Sequence, residues 1–190
     1  MLEATILYPI AVFAAVAVAW WSVARRLRWW QVAARVLLVV YLAWLFGATF
    51  FPVSLEGESV LETLISRLNQ PNFIPFHTVR ETFTLAGTWI KVRLLLGNVL
   101  VFVPFGVLAP VVWPRLGKAW RMALAGLLLS GGIELGQLAV SLMLGYWYRM
   151  TDIDDVILNV TGVMLGFALF WAAGRRTPGG AGGGQDASGD

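Results

Sequence analysis

Along this chain, long apolar runs alternate with short polar ones. Five runs stand out: Ala4 to Ala24, Val32 to Val53, Val92 to Trp113, Met122 to Leu144 and Val156 to Ala173. At about 1.5 Å of rise per residue, each is long enough to cross about 30 Å of hydrocarbon as a helix. The pattern predicts an all-α integral membrane protein with about five transmembrane helices. The first run has no basic residue before it, is longer than a usual secretory-signal core and has its arginines after it, so it reads as a retained span.

The polar interval between the second and third spans has a pattern of its own. Ser59-Val60-Leu61-Glu62 has the form of a capping box. Val60, Leu61, Leu64, Ile65 and Leu68 then fall on one helical face, and Pro71 ends the run. Asn72 to Thr78 reads as a turn, and a second amphipathic stretch with Phe76, Val79 and Phe83 follows before Gly87. The 54–91 loop is therefore expected to hold short helices lying on the membrane surface.

Composition narrows the class. Of 190 residues, 58% are hydrophobic and only 13% are charged, against about a quarter charged in soluble domains. A soluble globule of this size could not hide that much apolar surface. With no cysteine, thiol nucleophiles, disulfides and Cys-bound zinc are excluded, and the single histidine, His77, excludes a two-His metal site within one chain.

The net charge of +3 says little as a sum and more as a distribution. Arg25, Arg26, Arg28 and Arg35 lie at the first connection, Arg115, Lys118 and Arg121 at the third, and Arg175 and Arg176 after the last span. With five spans these fall on one side, which the positive-inside rule makes cytoplasmic. The expectation is an external N-terminus, external 54–91 and 145–155 loops, and a cytoplasmic C-terminus. Trp20, Trp21, Trp29, Trp30, Trp113, Trp120 and Trp171 would mark the inner boundary, and Trp89, Tyr146, Trp147 and Tyr148 the outer one. Residues 1–176 form one transmembrane domain, and the Gly-rich stretch 177–190 is expected to be a disordered tail.

Polar residues inside the spans carry the candidate chemistry, because such groups are costly in hydrocarbon. Glu134 sits mid-way along the fourth span with Gln137 on the same face, while Ser130 and Ser141 extend the stripe as a helix-packing seam. Asn98 lies two turns inside the third span, ahead of Pro104, Gly106 and Pro110, which are expected to kink it. The densest cluster is Arg149-Met150-Thr151-Asp152-Ile153-Asp154-Asp155, followed by Asn159, with Gly162 and Gly166 spaced for close helix approach. Asp152 or Asp154 is placed to cap the fifth helix. Asp152, Asp154 and Asp155 together are also a candidate all-oxygen site for a divalent cation, the one cofactor considered. Asn72 and His77 join this set from the loop. Asn98, Glu134, Gln137, Arg149, Asp152, Asp154, Asp155, Asn159, Asn72 and His77 all fall in the external half or just outside it, which points to one shared polar pocket at headgroup level.

At these residues the sequence resembles the VanZ family of bacterial membrane proteins. The matching blocks are Asn72-Phe-Ile-Pro75-Phe76, Gly97-Asn98 through Phe102, Pro104, Phe105 and Gly106, Ser130 with Ile133-Glu134-Leu135-Gly136-Gln137, and Arg149-x-x-Asp152-Ile-Asp154-Asp155 with Asn159, Gly162 and Gly166. The motif core is about 72–170. Family members commonly have glycine before the arginine, where this chain has Tyr148. The resemblance implies a multi-pass protein of the bacterial cytoplasmic membrane connected with the cell envelope. The family takes its name from a low-level teicoplanin resistance determinant.

Two readings of function stay open at this point. In the first, the pocket binds or modifies a lipid-linked envelope component. Glu134, Arg149, Asp152 and Asp155 are then the candidate catalytic residues, and Asn98, Gln137, Asn159, Asn72 and His77 the candidate binding residues. In the second, the same residues hold a non-enzymatic scaffold that shields a target. A small transporter is disfavoured, because Arg35 is the one charged residue in the inner half of the spans. The expected partners are membrane lipids, a lipid-linked cell-wall precursor or a lipoglycopeptide, and not nucleic acid.

Overall fold

The computed structural model describes residues 5, 7–51, 71–85 and 88–174. It contains α1 (Leu7–Ala24), α2 (Trp29–Phe50), α3 (His77–Leu85), α4 (Thr88–Val112), a 3-10 turn (Pro114–Leu116), α5 (Ala119–Leu144) and α6 (Ile153–Gly174). Among the described residues, five helices are long and apolar enough to cross a membrane: α1, α2, α4 over Leu95–Val112, α5 and α6. The five apolar runs thus form five helices. The second amphipathic stretch of the loop is α3, whereas the helix expected around 59–70 and the Gly-rich tail lie outside the described residues.

Side-chain exposure inverts the pattern of a soluble protein. Val12, Phe13, Val16, Leu100, Leu128, Leu135, Leu142 and Leu169 are exposed, while Ser130, Glu134, Gln137, Asp152, Asp154 and Asn159 are buried. Lipid tails are as apolar as leucine, so helices in a bilayer associate through close packing and polar contacts more than through hydrophobic exclusion. A core nevertheless runs through the bundle: Leu38, Tyr41 and Leu45 of α2, Phe102, Phe105 and Ala109 of α4, Met122 and Ile133 of α5, and Val163 and Phe167 of α6. The Tyr41 hydroxyl donates to the Val101 carbonyl at 3.0 Å, which ties α2 to α4.

The α4–α6 pair packs with almost no space between backbones. A Cβ built on Gly162 would fall 2.0 Å from the Val99 carbonyl oxygen, and one on Gly166 would fall 2.1 Å from that of Val103. On the facing helix, a Cβ on Gly106 would fall 2.1 Å from the Val163 carbonyl oxygen. Only glycine fits at these three places. The helix α4 runs continuously through Pro104 and Pro110.

The connections set the ends of the bundle. Residues 25–28 and 113–118 turn at one end, where Arg25 and Arg35 lie over the Trp21 ring at 5.3 and 5.8 Å from its centroid. At the other end α5 stops at Gly145, whose φ of 78° and N–H bond to the Ser141 carbonyl form a left-handed C-cap. The chain then passes through 145–152 into α6. The helix α1 packs on α2 and contributes no residue to the core.

Candidate functional site

The 145–152 end is built on helix termini. The last carbonyls of α2 have no partner within the helix. Gln137 Nε2 donates to the Thr49 carbonyl at 2.8 Å, and Arg149 donates to the Phe51 carbonyl at 2.9 Å and the Ala48 carbonyl at 3.4 Å. An amide and a cation from elsewhere in the chain thus close the end of α2, where the helix dipole favours positive charge.

The start of α6 uses the opposite logic. Asp152 is its cap: Oδ1 accepts from the Asp154 N–H at 2.9 Å and from the Asn72 side-chain amide at 2.9 Å. The Asp152 N–H donates in turn to Glu134 Oε2 at 3.0 Å. Residue 72 also pairs through its backbone, donating to the Thr151 carbonyl at 2.8 Å and accepting from the Ile153 N–H at 3.0 Å. This parallel β-bridge docks the turn before α3 onto the turn before α6. Asp154, 1% exposed, then caps α3 across the gap. Its carboxylate accepts from the Phe76 N–H and, at 3.0 Å, from the Val79 N–H. Phe76 itself sits at a φ of 63°.

These contacts surround a cavity of about 640 Å³. Of the candidate residues, Asn98, Glu134, Gln137, Arg149, Asp155 and Asn159 line it. The Asn98 amide donates to the Asp155 carboxylate, and the Asn159 amide donates to the Ser130 hydroxyl at 2.9 Å. Asn159 is 6% exposed, and its Oδ1 has no hydrogen-bond partner among the described residues. Trp44, Leu45, Val101, Phe102, Ile133 and Met150 supply apolar wall.

Four candidates stand elsewhere. Asn72, Asp152 and Asp154 hold the two turns together beside the cavity. His77 is on the exposed face of α3, with Nε2 3.6 Å from the Glu81 carboxylate. The candidate divalent-cation site at Asp152, Asp154 and Asp155 is not supported by their placement. Each carboxylate is engaged by different partners, and among the described residues no three His, Cys, Asp or Glu side chains are grouped to hold a metal ion.

Two contributors escaped the sequence reading. Tyr148 lines the cavity, and its buried hydroxyl has no partner among the described residues. Burial pushes its phenol above the usual tyrosine range, against the lowering effect of Arg149. The α2 carbonyls that receive Gln137 and Arg149 are the other contributor. They leave no side-chain signal, although the general rule that helix ends need partners points to them.

A family model described as VanZ/LLP1 matches residues 38–174. The chain belongs to the VanZ/LLP1 family. A VanZ/LLP1 relative, Protein VanZ of Enterococcus faecium, is 29% identical over 142 residues, covering 75% of this chain and 76% of that protein. No solved structure matches the chain. The VanZ/LLP1 match spans every residue that lines the cavity and leaves α1 outside it.

Proposed function

We propose that the cavity faces outward from the bacterial cytoplasmic membrane, binds a lipid-linked component of the cell envelope, and thereby changes susceptibility to the lipoglycopeptide teicoplanin. The observation that carries this reading is the convergence of Asn98, Glu134, Gln137, Arg149, Asp155 and Asn159 on one cavity with apolar walls. Such a mixture suits an amphiphile whose polar part needs directed hydrogen bonds. Asn159 Oδ1, buried without a partner, calls for a donor. The carboxylates of Glu134 and Asp155 are acceptors as well, so the favoured headgroup is rich in hydroxyl or amine hydrogens. Arg149 faces it as a cation suited to phosphate. Glu134 is the best-placed group for acid or base chemistry, should binding lead on to modification.

The scaffold reading has an observation of its own. Gln137, Arg149 and Glu134 all hold backbone groups at helix ends. A bundle stiffened in that way could shield an envelope precursor without altering it.

The two are separated by expressing the protein in a teicoplanin-susceptible bacterium and replacing Glu134→Gln, Arg149→Lys and Asp155→Asn. Glu134→Gln and Asp155→Asn keep a hydrogen-bonding group of similar shape, and Arg149→Lys keeps the positive charge without the guanidinium fork. The expected outcome is normal accumulation in the membrane with loss of the susceptibility change. Loss of accumulation in all three favours the scaffold, and full retention of the effect in all three overturns the cavity reading.

A further inference from the structure

A second cavity, of about 420 Å³, lies between α1 and α2. Its lining is apolar: Leu7, Tyr8 and Ala11 on one side, Val40, Ala43, Gly47 and Phe51 on the other, with Trp44 and Ala48 at the edge. Trp44 and Ala48 also line the polar cavity. The two spaces therefore share a wall, and the Arg149 guanidinium donates to the carbonyls of Ala48 and Phe51 at that junction.

The position of α1 explains the cleft. Its one buried residue is Ser22, beside the turn into α2. The hairpin is closed at that end. Toward the N-terminus of α1, the small residues Ala11, Ala43, Gly47 and Ala48 line the cleft and leave it unfilled by side chains. The open end is the end that carries the polar cavity.

We infer that the α1–α2 cleft holds the single hydrocarbon chain of an amphiphile whose anionic group meets Arg149 and whose polar headgroup enters the adjoining cavity. This rests on the reading above and adds the chain count, the entry route and the position of the charge. The volume lies at the low end of the range for small-molecule sites, and the cleft is one gap between two helices, which suits one chain. The shared wall at Trp44 and Ala48 sets the order along the ligand: chain, then anion, then hydrogen-bond donors. A ligand of this order can enter from the lipid between α1 and α2 without leaving the bilayer.

The test uses the full chain in phosphatidylcholine nanodiscs with tritiated polyprenyl phosphate that carries a diazirine in its hydrocarbon chain as probe. Attachment is mapped by peptide sequencing at Ala11, which lines the cleft, and at Phe13, whose side chain is 77% exposed on the same helix. Photolysis is expected to attach about tenfold more probe at position 11 than at 13. Filling the cleft with Ala43→Leu should remove that excess. Unlabelled polyprenyl phosphate should compete well, and the corresponding polyprenol and two-chain phosphatidylglycerol poorly.

Equal labelling at the two positions, an excess that survives Ala43→Leu, or equal competition by phosphatidylglycerol overturns the inference. If the excess at position 11 persists but polyprenol competes equally and Arg149→Ala changes nothing, the cavity reading fails and the cleft stands as a chain site. If the excess is absent while Arg149→Ala still weakens retention of the probe, the cavity reading stands and the cleft fails.

Discussion

Asp152, Asp154 and Asp155 occur within four positions of one another and have three separate tasks. Asp152 caps its own helix, Asp154 caps α3 from a distance, and Asp155 faces the cavity on Asn98. Their mutants should therefore diverge. Asp154→Ala leaves the N–H groups of Phe76 and Val79 without their acceptor, at a cost of about 1–3 kcal/mol for each buried group left unpaired. The purified protein is expected to unfold at a clearly lower temperature and to be cut readily by protease within 72–85. Asp155→Asn keeps a carbonyl for the Asn98 amide, and its unfolding midpoint should stay within a degree or two of the parent, by about 0.5 kcal/mol or less. Equal destabilisation by the two would contradict this division. The sequence alone could name Asp152 or Asp154 as a cap for the fifth span. It could not show Asp154 serving α3, because the two partners lie more than seventy positions apart and the bond ends on backbone.

Among the helices, glycine separates two kinds of position. Gly162 and Gly166 touch the carbonyls of α4, whereas Gly131, Gly132 and Gly97 have nothing within 4 Å of a built Cβ. Gly166→Leu is expected to force α4 and α6 apart and abolish accumulation in the membrane, read by immunoblot against a tagged parent. Gly131→Ala should be neutral or stabilise by about 0.5–1 kcal/mol, since alanine costs a helix less than glycine does. A thermal melt of the Gly131→Ala protein against the tagged parent checks the second expectation. The four-residue spacing of Gly162 and Gly166 already marked this face in the sequence. Its counterpart Gly106 stood among the features expected to bend α4. Proximity to α6 explains it better: its absent side chain leaves room for the Val163 carbonyl.

For the molecule as a whole, hydropathy was enough to foresee five spans, because the bilayer forces backbone hydrogen bonds inside each helix and leaves few alternatives. The grouping of polar residues at one end was legible too, since helix length fixes depth. Which of them share a cavity depends on rotation about each helix axis: the stripe of Ser130, Glu134, Gln137 and Ser141 marked the buried face of α5, whereas the near-uniform apolar composition of α4 left its rotation unmarked apart from Asn98. The aspect still to be measured is orientation. With Arg25, Arg26, Arg28, Arg115, Lys118 and Arg121 at one end, the cavity end should face outward. In intact cells a membrane-impermeant maleimide should label Arg80→Cys, on the exposed part of α3, and should leave Lys118→Cys unmodified until the membrane is opened. The reverse result would place the cavity on the cytoplasmic side.

The β-bridge between residues 72 and 152, together with the Asp154 cap on α3, has a consequence for biogenesis. Chain synthesis runs from the N-terminus, so α3 and the two spans after it leave the ribosome before their partner exists. During that interval Asn98, Glu134 and the loose end of α3 must be tolerated by the insertion machinery without their final bonds. Emergence of Thr151 to Asn159 supplies the Asp152 N–H for Glu134, a carboxylate for Asn98 and a cap for α3 in one stretch of nine residues. The span made after these is thus the one that completes them, and maturation of the cavity waits for α6 and then proceeds nearly as a single event.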